Sequence, residues 1–394
     1  MSTNPIEPPV VTLRPREERR LRNGHLWVFS NEIARLDGDA EPGALVAVRA
    51  ASGTHLGVGI FNPSSLIAVR LTSRSATPLG IEWFRERLAS ALRLRQMLFP
   101  DSDTYRLVHS ESDGIPGVIV DRFDGVASVQ IAALGMDQRR EFLFDALMEI
   151  DGIVGVVERN DHALRGLEGL PERIGCVRGV ADIQTIEDGV LRYQVDPLGG
   201  QKTGFFLDQR ENRVAMRRFM RQGRVLDLFC NEGGFALHAR HAGASEVIAI
   251  DSSATAIRAA EANEKLNGLD GIEWRVGDVF DELRERAARS ESFDVVIVDP
   301  PPFARSKKHV AAARKRYVEL FTRALEVTAH GGIVFFATCS HHVGRETFLE
   351  ILRESFIRSH RTGAILEERG ASADHPVHPA MVESSYLHGA ILRV

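Results

Sequence analysis

The chain has 394 residues, 44% of them hydrophobic and 26% charged, with a formal charge of −5. That length exceeds what one hydrophobic core usually serves, so several domains are expected; no apolar run is long enough for a membrane-spanning helix and no secretory leader is seen, which makes the expected setting the cytoplasm, away from membranes. Cys176, Cys230 and Cys339 are far apart and no His/Cys cluster has metal-ligand spacing, arguing against a disulfide framework and a metal centre.

Residues 1–9 (MSTNPIEPP) read as a flexible leader. Residues 10–75 alternate short apolar runs with turns, as in GALVAVRAASGTHLGVGIFN, and predict a small β-rich domain. At its start Arg14, Arg16, Arg19 and Arg20 crowd together, either as a solvated face or as a phosphate-contacting surface, since arginine pairs well with phosphate oxygens. Residues 80–195 open with an amphipathic helix, IEWFRERLASALRLRQMLF, and continue as strands and helices, predicting a middle α+β domain. Its acids Asp113 and Asp121 have a spacing that fits turn-capping as well as chemistry, and the structural reading is preferred.

From about Arg224 onward β-rich runs (VLDLF, EVIAID, DVVIVD, GIVFFA) alternate with helical patterns, as in a parallel sheet flanked by helices; this is the third domain, residues 196–394. Ligands of such sheets bind beyond the C-terminal strand ends. The first end, VLDLFCNEGGF, offers Asp227, Asn231 and Gly233, with Gly233 and Gly234 expected to let backbone approach a ligand closely. That loop alone would suit a nicotinamide enzyme nearly as well. Asp251 closes the next strand where a carboxylate can accept from ribose hydroxyls, and it can also cap the following helix. Asp278, with Val279 and Phe280, supplies an acceptor and an apolar slot for an adenine, or a helix cap. The fourth end, DVVIVDPPPF, places Asp299 before a rigid proline loop and Phe303, on which a planar ring can stack. In order and spacing these four ends resemble the class I S-adenosylmethionine-dependent methyltransferase fold. The resemblance implies a Rossmann-like α/β domain whose seven-stranded sheet is mostly parallel, its antiparallel strand supplied by LHGAILRV.

After the next strand, GGIVFFATCSHH puts Cys339 at another strand end. Carbon 5 of a pyrimidine is a poor nucleophile; a thiolate adding to carbon 6 makes it reactive. Cys339 is the candidate nucleophile, Asp299 the group facing the base, and Lys202, Arg305, Lys307 and His341 are candidates for favouring the thiolate. Cys230 reads as packing. The segment ARSKKHVAAARKRY carries Arg305, Lys307, Lys308, Arg314, Lys315 and Arg316 and no acid, either a solvated face or a phosphate-binding surface beside the reacting base.

Over its whole length the chain resembles the bacterial ribosomal RNA large-subunit methyltransferase I family, through KTGFFLDQRENR (202–213), VLDLFCNEGGF (225–235), VDPPPF (298–303), TCS (338–340) and the closing HPVHP and SSYLHGAILRV. The resemblance implies a PUA-type RNA-binding module at residues 10–75, a homodimer, S-adenosylmethionine as cofactor, and methylation of cytosine carbon 5 in 23S ribosomal RNA. It implies that Phe205 and Arg213 help enclose the cofactor. Asn231 and Glu232 stand where relatives often have an aromatic residue and threonine, and Pro302 and Phe303 where other RNA cytosine methyltransferases carry a second cysteine. Amino-group methylation of a nucleobase, or a non-catalytic RNA-binding scaffold, are the competing readings.

Overall fold

In the computed structural model, which describes residues 8–200, 203–304, 307–340 and 342–394, the glycine-bounded apolar runs of the N-terminal region form a six-stranded sheet. Its strands lie in the order Trp27–Phe29, Ile67–Ser73, His55–Phe61, Leu45–Arg49, Val10–Leu13 and Ile33–Asp37. Alternate residues, among them Val11, Leu13, Val46 and Val48, point into one small core. A five-stranded sheet follows, ordered Arg173–Gly179, Gly155–Asn160, Val126–Ile131, Val118–Phe123 and Thr104–His109. The helix Ile81–Leu98 buries Trp83, Phe84, Leu88 and Ala91 in its core, the apolar stripe that the helical periodicity predicts.

By contacts both sheets belong to one compact unit, Met1–Ile186 with Val195–Phe205 and Asp374–Ser384. Ile60 of the first sheet is buried in the core of the second, and Glu168 accepts hydrogen bonds from Asn62 and Ser65. The segment Asp374–Ser384, with its HPVHP motif, falls in this unit through a buried polar network. Arg95 donates to both oxygens of Asp113 at 2.6 and 2.7 Å and to the Asp374 carbonyl at 2.9 Å. Asp374 accepts the Arg106 N–H at 2.8 Å, and Asp121 is held by Arg106 and Thr203. Asp113 and Asp121 are thus engaged in structural pairs, although Asp121 sits within the strand Val118–Phe123 rather than in a turn.

The second unit comprises Glu187–Gln194, Phe206–Ala373 and Ser385–Val394. Its strands are β1 (Arg224–Leu228), β2 (Glu246–Asp251), β3 (Ile272–Val276), β4 (Phe293–Val298), β5 (Thr328–Thr338), β6 (Ala364–Arg369) and β7 (His388–Arg393). They form one sheet in the order β3, β2, β1, β4, β5, β7, β6. The first five are mutually parallel, whereas β7 runs antiparallel to both β5 and β6. The central strands are buried along nearly their whole length, which explains their continuous Val, Ile and Leu runs. Around them lie α1 (Arg210–Met220), α2 (Gly234–His241), α3 (Ala254–Leu266), α4 (Val279–Ala288), α5 (Val310–Glu326) and α6 (Arg345–Arg358). The direction of winding reverses between β1 and β4, and their C-terminal ends open the crevice where such sheets bind ligands. No helix among the described residues is long and apolar enough to cross a membrane.

Candidate active site

The loop from β1 to α2 is wound tightly. Phe229 and Asn231 have φ of +62° and +46°, and Gly233 has +83°. Asp251 at the end of β2 fixes this turn: its two oxygens accept the N–H of Asn231 at 3.0 Å and of Ser253 at 2.8 Å. The glycines answer to protein packing rather than only to a ligand. A Cβ on Gly233 would stand 2.6 Å from the Trp274 ring, and one on Gly234 would stand 2.9 Å from Arg213 Cδ. Gly233→Ala is therefore expected to cost about 1–3 kcal/mol of stability, from overpacking and the left-handed backbone together, read as a lower midpoint in denaturant.

Carboxylates converge behind this loop. Asp227 is 1% exposed on β1; its Oδ2 accepts the Ala236 N–H at 2.8 Å, while its Oδ1 is buried with no hydrogen-bond partner among the described residues. Burial, together with the charges of Asp299 and Asp251, pushes the Asp227 carboxyl well above the usual range. Glu232 is pushed up to about 7 by burial, against the pull of Arg213, and its Oε2 likewise lacks a partner among the described residues. Such a bowl of acids with unanswered acceptors fits a ligand that brings positive charge and hydroxyl donors, as the sulfonium, ammonium and ribose of S-adenosylmethionine do. The neighbouring Cys230 is buried, and burial with the adjoining acids pushes its thiol up, as befits a packing residue.

Other candidates take different places. Asp278 caps α4, its Oδ1 accepting from Phe280 and Asp281 N–H at 2.8 and 3.2 Å. Val279 does not supply an open apolar surface: it is 2% exposed and packed in the core, because the first turn of α4 turns that side chain toward the sheet. Phe280 is only partly buried. Arg213 is 3% exposed and engaged with Asp188 and the Phe206 carbonyl, so it lies beneath the glycine loop as a support. Phe205 is buried within the first compact unit.

The Asp188 network was not foreseen from sequence. Asp188, fully buried at the end of the strand Gln184–Asp188, receives Arg210 Nε at 2.9 Å and Arg213 Nη2 at 2.7 Å, with His238 Nε2 at 3.9 Å. Burial pushes its carboxyl up, but Arg213, His238 and Arg210 outweigh that and hold it well below the usual range. In the sequence, Asp188-Gly189 reads as a turn, and nothing local announces partners more than twenty positions away.

On the other side of the crevice β4 and β5 are parallel neighbours, with Val298 opposite Phe336, so that Asp299 and Cys339 emerge from adjoining strand ends. The Cys339 Sγ lies 3.7 Å from the Pro300 carbonyl oxygen, and the residue is half-buried. The proline loop is stitched to this strand end: the Tyr317 hydroxyl meets Ser340 Oγ at 2.8 Å and accepts the Phe303 N–H at 3.3 Å, and Ser340 Oγ accepts the Ala304 N–H at 3.4 Å. Lys202, Arg305 and His341, and the side chain of Lys307, lie outside the described residues.

The two arginine-rich segments occupy different units. Arg14, Arg16 and Arg19 are exposed. Arg20, by contrast, pairs with Glu32 and lies over the Phe29 ring, which ties the short helix Arg19–Arg22 to the segment after the strand Trp27–Phe29. Arg314 is tied to Glu354 of α6 at 2.8 Å. Lys308, Lys315 and Arg316 are exposed.

Comparison with known proteins accords with this geometry. Residues 11–74 match the model of a PUA-like domain, and residues 175–368 that of an S-adenosylmethionine-dependent methyltransferase. The chain has the fold of a solved methyltransferase complexed with SAH, at TM-score 0.86 and 22% identity over 98% of this chain and 100% of that one. A methyltransferase structure from Streptococcus mutans gives TM-score 0.84 at 20% identity, with the same coverage. The ribosomal RNA large subunit methyltransferase I of Photobacterium profundum is 37% identical, covering 94% of this chain and 96% of its own length. That of Salmonella arizonae is 36% identical over 100% of this chain and 99% of its own. With four carboxylates gathered at the switch point of a class I sheet and relatives matching end to end, the chain belongs to the ribosomal RNA large subunit methyltransferase I family, and its cofactor is S-adenosylmethionine.

Proposed function

We propose that the protein methylates carbon 5 of a cytosine in 23S ribosomal RNA, with Cys339 as nucleophile. The observation that carries this reading is the placement of Cys339, half-exposed beside the Asp299 loop on the adjoining strand end, whereas Cys230 across the crevice is buried. The relatives' name supports large-subunit ribosomal RNA as the substrate. The bound cofactor supplies an electrophilic methyl group. Cys339 Sγ forms a bond to carbon 6 of the ring, and the displaced electron pair makes carbon 5 nucleophilic. Asp299 hydrogen-bonds the ring nitrogen or the amino edge of the cytosine and so orients carbon 6 toward the thiolate. After carbon 5 has taken the methyl, leaving S-adenosylhomocysteine, a general base takes the carbon 5 proton; that electron pair restores the 5,6 double bond as the carbon 6–sulfur bond breaks and frees the thiolate. The target must be unpaired or turned out of its stack to reach this crevice.

Asp227, Asn231, Gly233 and Asp251 hold the methionine and ribose parts in this reading, Asp278 the adenine. Residues 10–75 act as the RNA-binding module, 80–195 as the middle domain and 196–394 as the methyltransferase domain of a homodimer working in the cytoplasm. RNA carrying 5-fluorocytosine provides the test. Fluorine cannot leave as a proton does, so enzyme, cofactor and this RNA should accumulate a covalent complex that mass spectrometry maps to Cys339. Turnover without any trapped complex would overturn the nucleophile assignment.

A further inference from the structure

An open, shallow cleft lies between the start of α4 and the outward face of α5, lined by Arg284, Lys315 and Arg316, by the acids Asp278, Asp281 and Glu319, and by Phe280. Its charges are unequally committed. Arg284 is paired with Asp281 at 3.0 Å, and Glu319 with Arg323 at 3.0 Å. Asp278 caps α4 and belongs to the cofactor's adenine in the reading above, so the cleft borders the adenine site and the RNA contacts fall to Lys315 and Arg316. Lys315 and Arg316 make no ion pair or hydrogen bond among the described residues, although Arg314 next to them is tied to α6. The unspent charge of the cleft is therefore positive.

Arg316 is also held in place by aromatic rings. Its guanidinium carbon lies 4.6 Å from the centre of the Phe303 ring and 5.4 Å from that of Phe280, while the residue remains exposed. Phe303 belongs to the proline loop that carries Asp299, so the guanidinium sits at the rim of the reaction crevice. A planar cation braced by two rings on an exposed residue is a platform for an unpaired base, and a lysine beside it suits the backbone phosphate.

We infer that this cleft binds the nucleotide flanking the target base in single-stranded RNA, with Arg316 stacking on its base and Lys315 meeting its phosphate. The inference rests on the RNA reading above and adds a second recognition site to it. The experiment uses the full chain, an unmodified large-subunit RNA transcript titrated at several salt concentrations, and calorimetry with S-adenosylmethionine. Arg316→Ala is expected to weaken RNA binding by about 10–100-fold, as loss of one stacking contact does. Arg316→Lys should keep the salt dependence of the wild type and remain at least about fivefold weaker. Lys315→Ala should flatten the slope of log affinity against log salt by about one. Cofactor affinity should stay within about twofold throughout. Wild-type RNA affinity in Arg316→Ala, or full rescue by lysine, would sink the stacking role; a parallel fall in cofactor affinity would give the cleft to the cofactor's adenine. If Arg316→Ala loses RNA affinity while the 5-fluorocytosine complex never forms, the carbon 5 chemistry falls and the cleft assignment stands.

Discussion

Cys339→Ala is expected to lower methyl transfer to RNA by at least about a thousandfold while cofactor affinity stays within about twofold. The reason is chemical: without a thiolate at carbon 6 the ring's carbon 5 has too little electron density to attack the methyl group, and no other described side chain at the ends of β4 and β5 offers a comparable nucleophile. The loss should appear in single-turnover rate rather than in KM, because the covalent bond forms only after the base is seated. Cys230→Ala is the matched control. Its thiol is buried and pushed up by burial, Asp227 and Asp251, so transfer should change little. Retained activity in Cys339→Ala would instead favour methylation of an exocyclic amine oriented by Asp299.

The second large effect falls on stability. Asp188→Ala should destabilise the chain by about 3–5 kcal/mol, since it leaves the Arg210 and Arg213 guanidiniums buried without their shared counter-charge. Because the folded carboxyl is held below its ordinary range, the stabilisation is fully present above the ordinary carboxylate pKa and is lost as pH falls toward the folded value. The gap between wild type and variant in urea midpoint should therefore be widest near neutrality and narrow in acid. Arg213 packs beneath Gly234, so cofactor affinity should fall as well. A variant as stable as wild type would show the cluster to be incidental.

The parts of this site that were legible in the sequence are those set by strand periodicity. A strand buried on both faces must be an unbroken apolar run, so its end is visible, and Asp227, Asp251, Asp299 and Cys339 stand at or just beyond such ends. Side-chain direction within a turn was less visible: Val279 and Phe280 are adjacent, yet one enters the core and the other remains at the surface. Pairing at long range was not visible at all. Arg20 and Arg314 look like free charges beside their neighbours, but Glu32 and Glu354 lie twelve and forty positions away. The paired glycines read as room for a ligand, and a packing demand beside Trp274 and Arg213, which the sequence does not announce, adds to that. Contacts also group Asp374–Ser384 with the first unit, a return that no change of composition announces.

The position of β7 bears on how the molecule is made. It is the last of the seven strands to leave the ribosome, yet it is inserted between β5 and β6 rather than added at an edge. Until it arrives, β5 presents a row of open N–H and C=O groups to any other chain emerging nearby. Removing β7 would leave that exposure permanent, so a variant lacking His388–Arg393 is expected to aggregate, read as light scattering against the full chain.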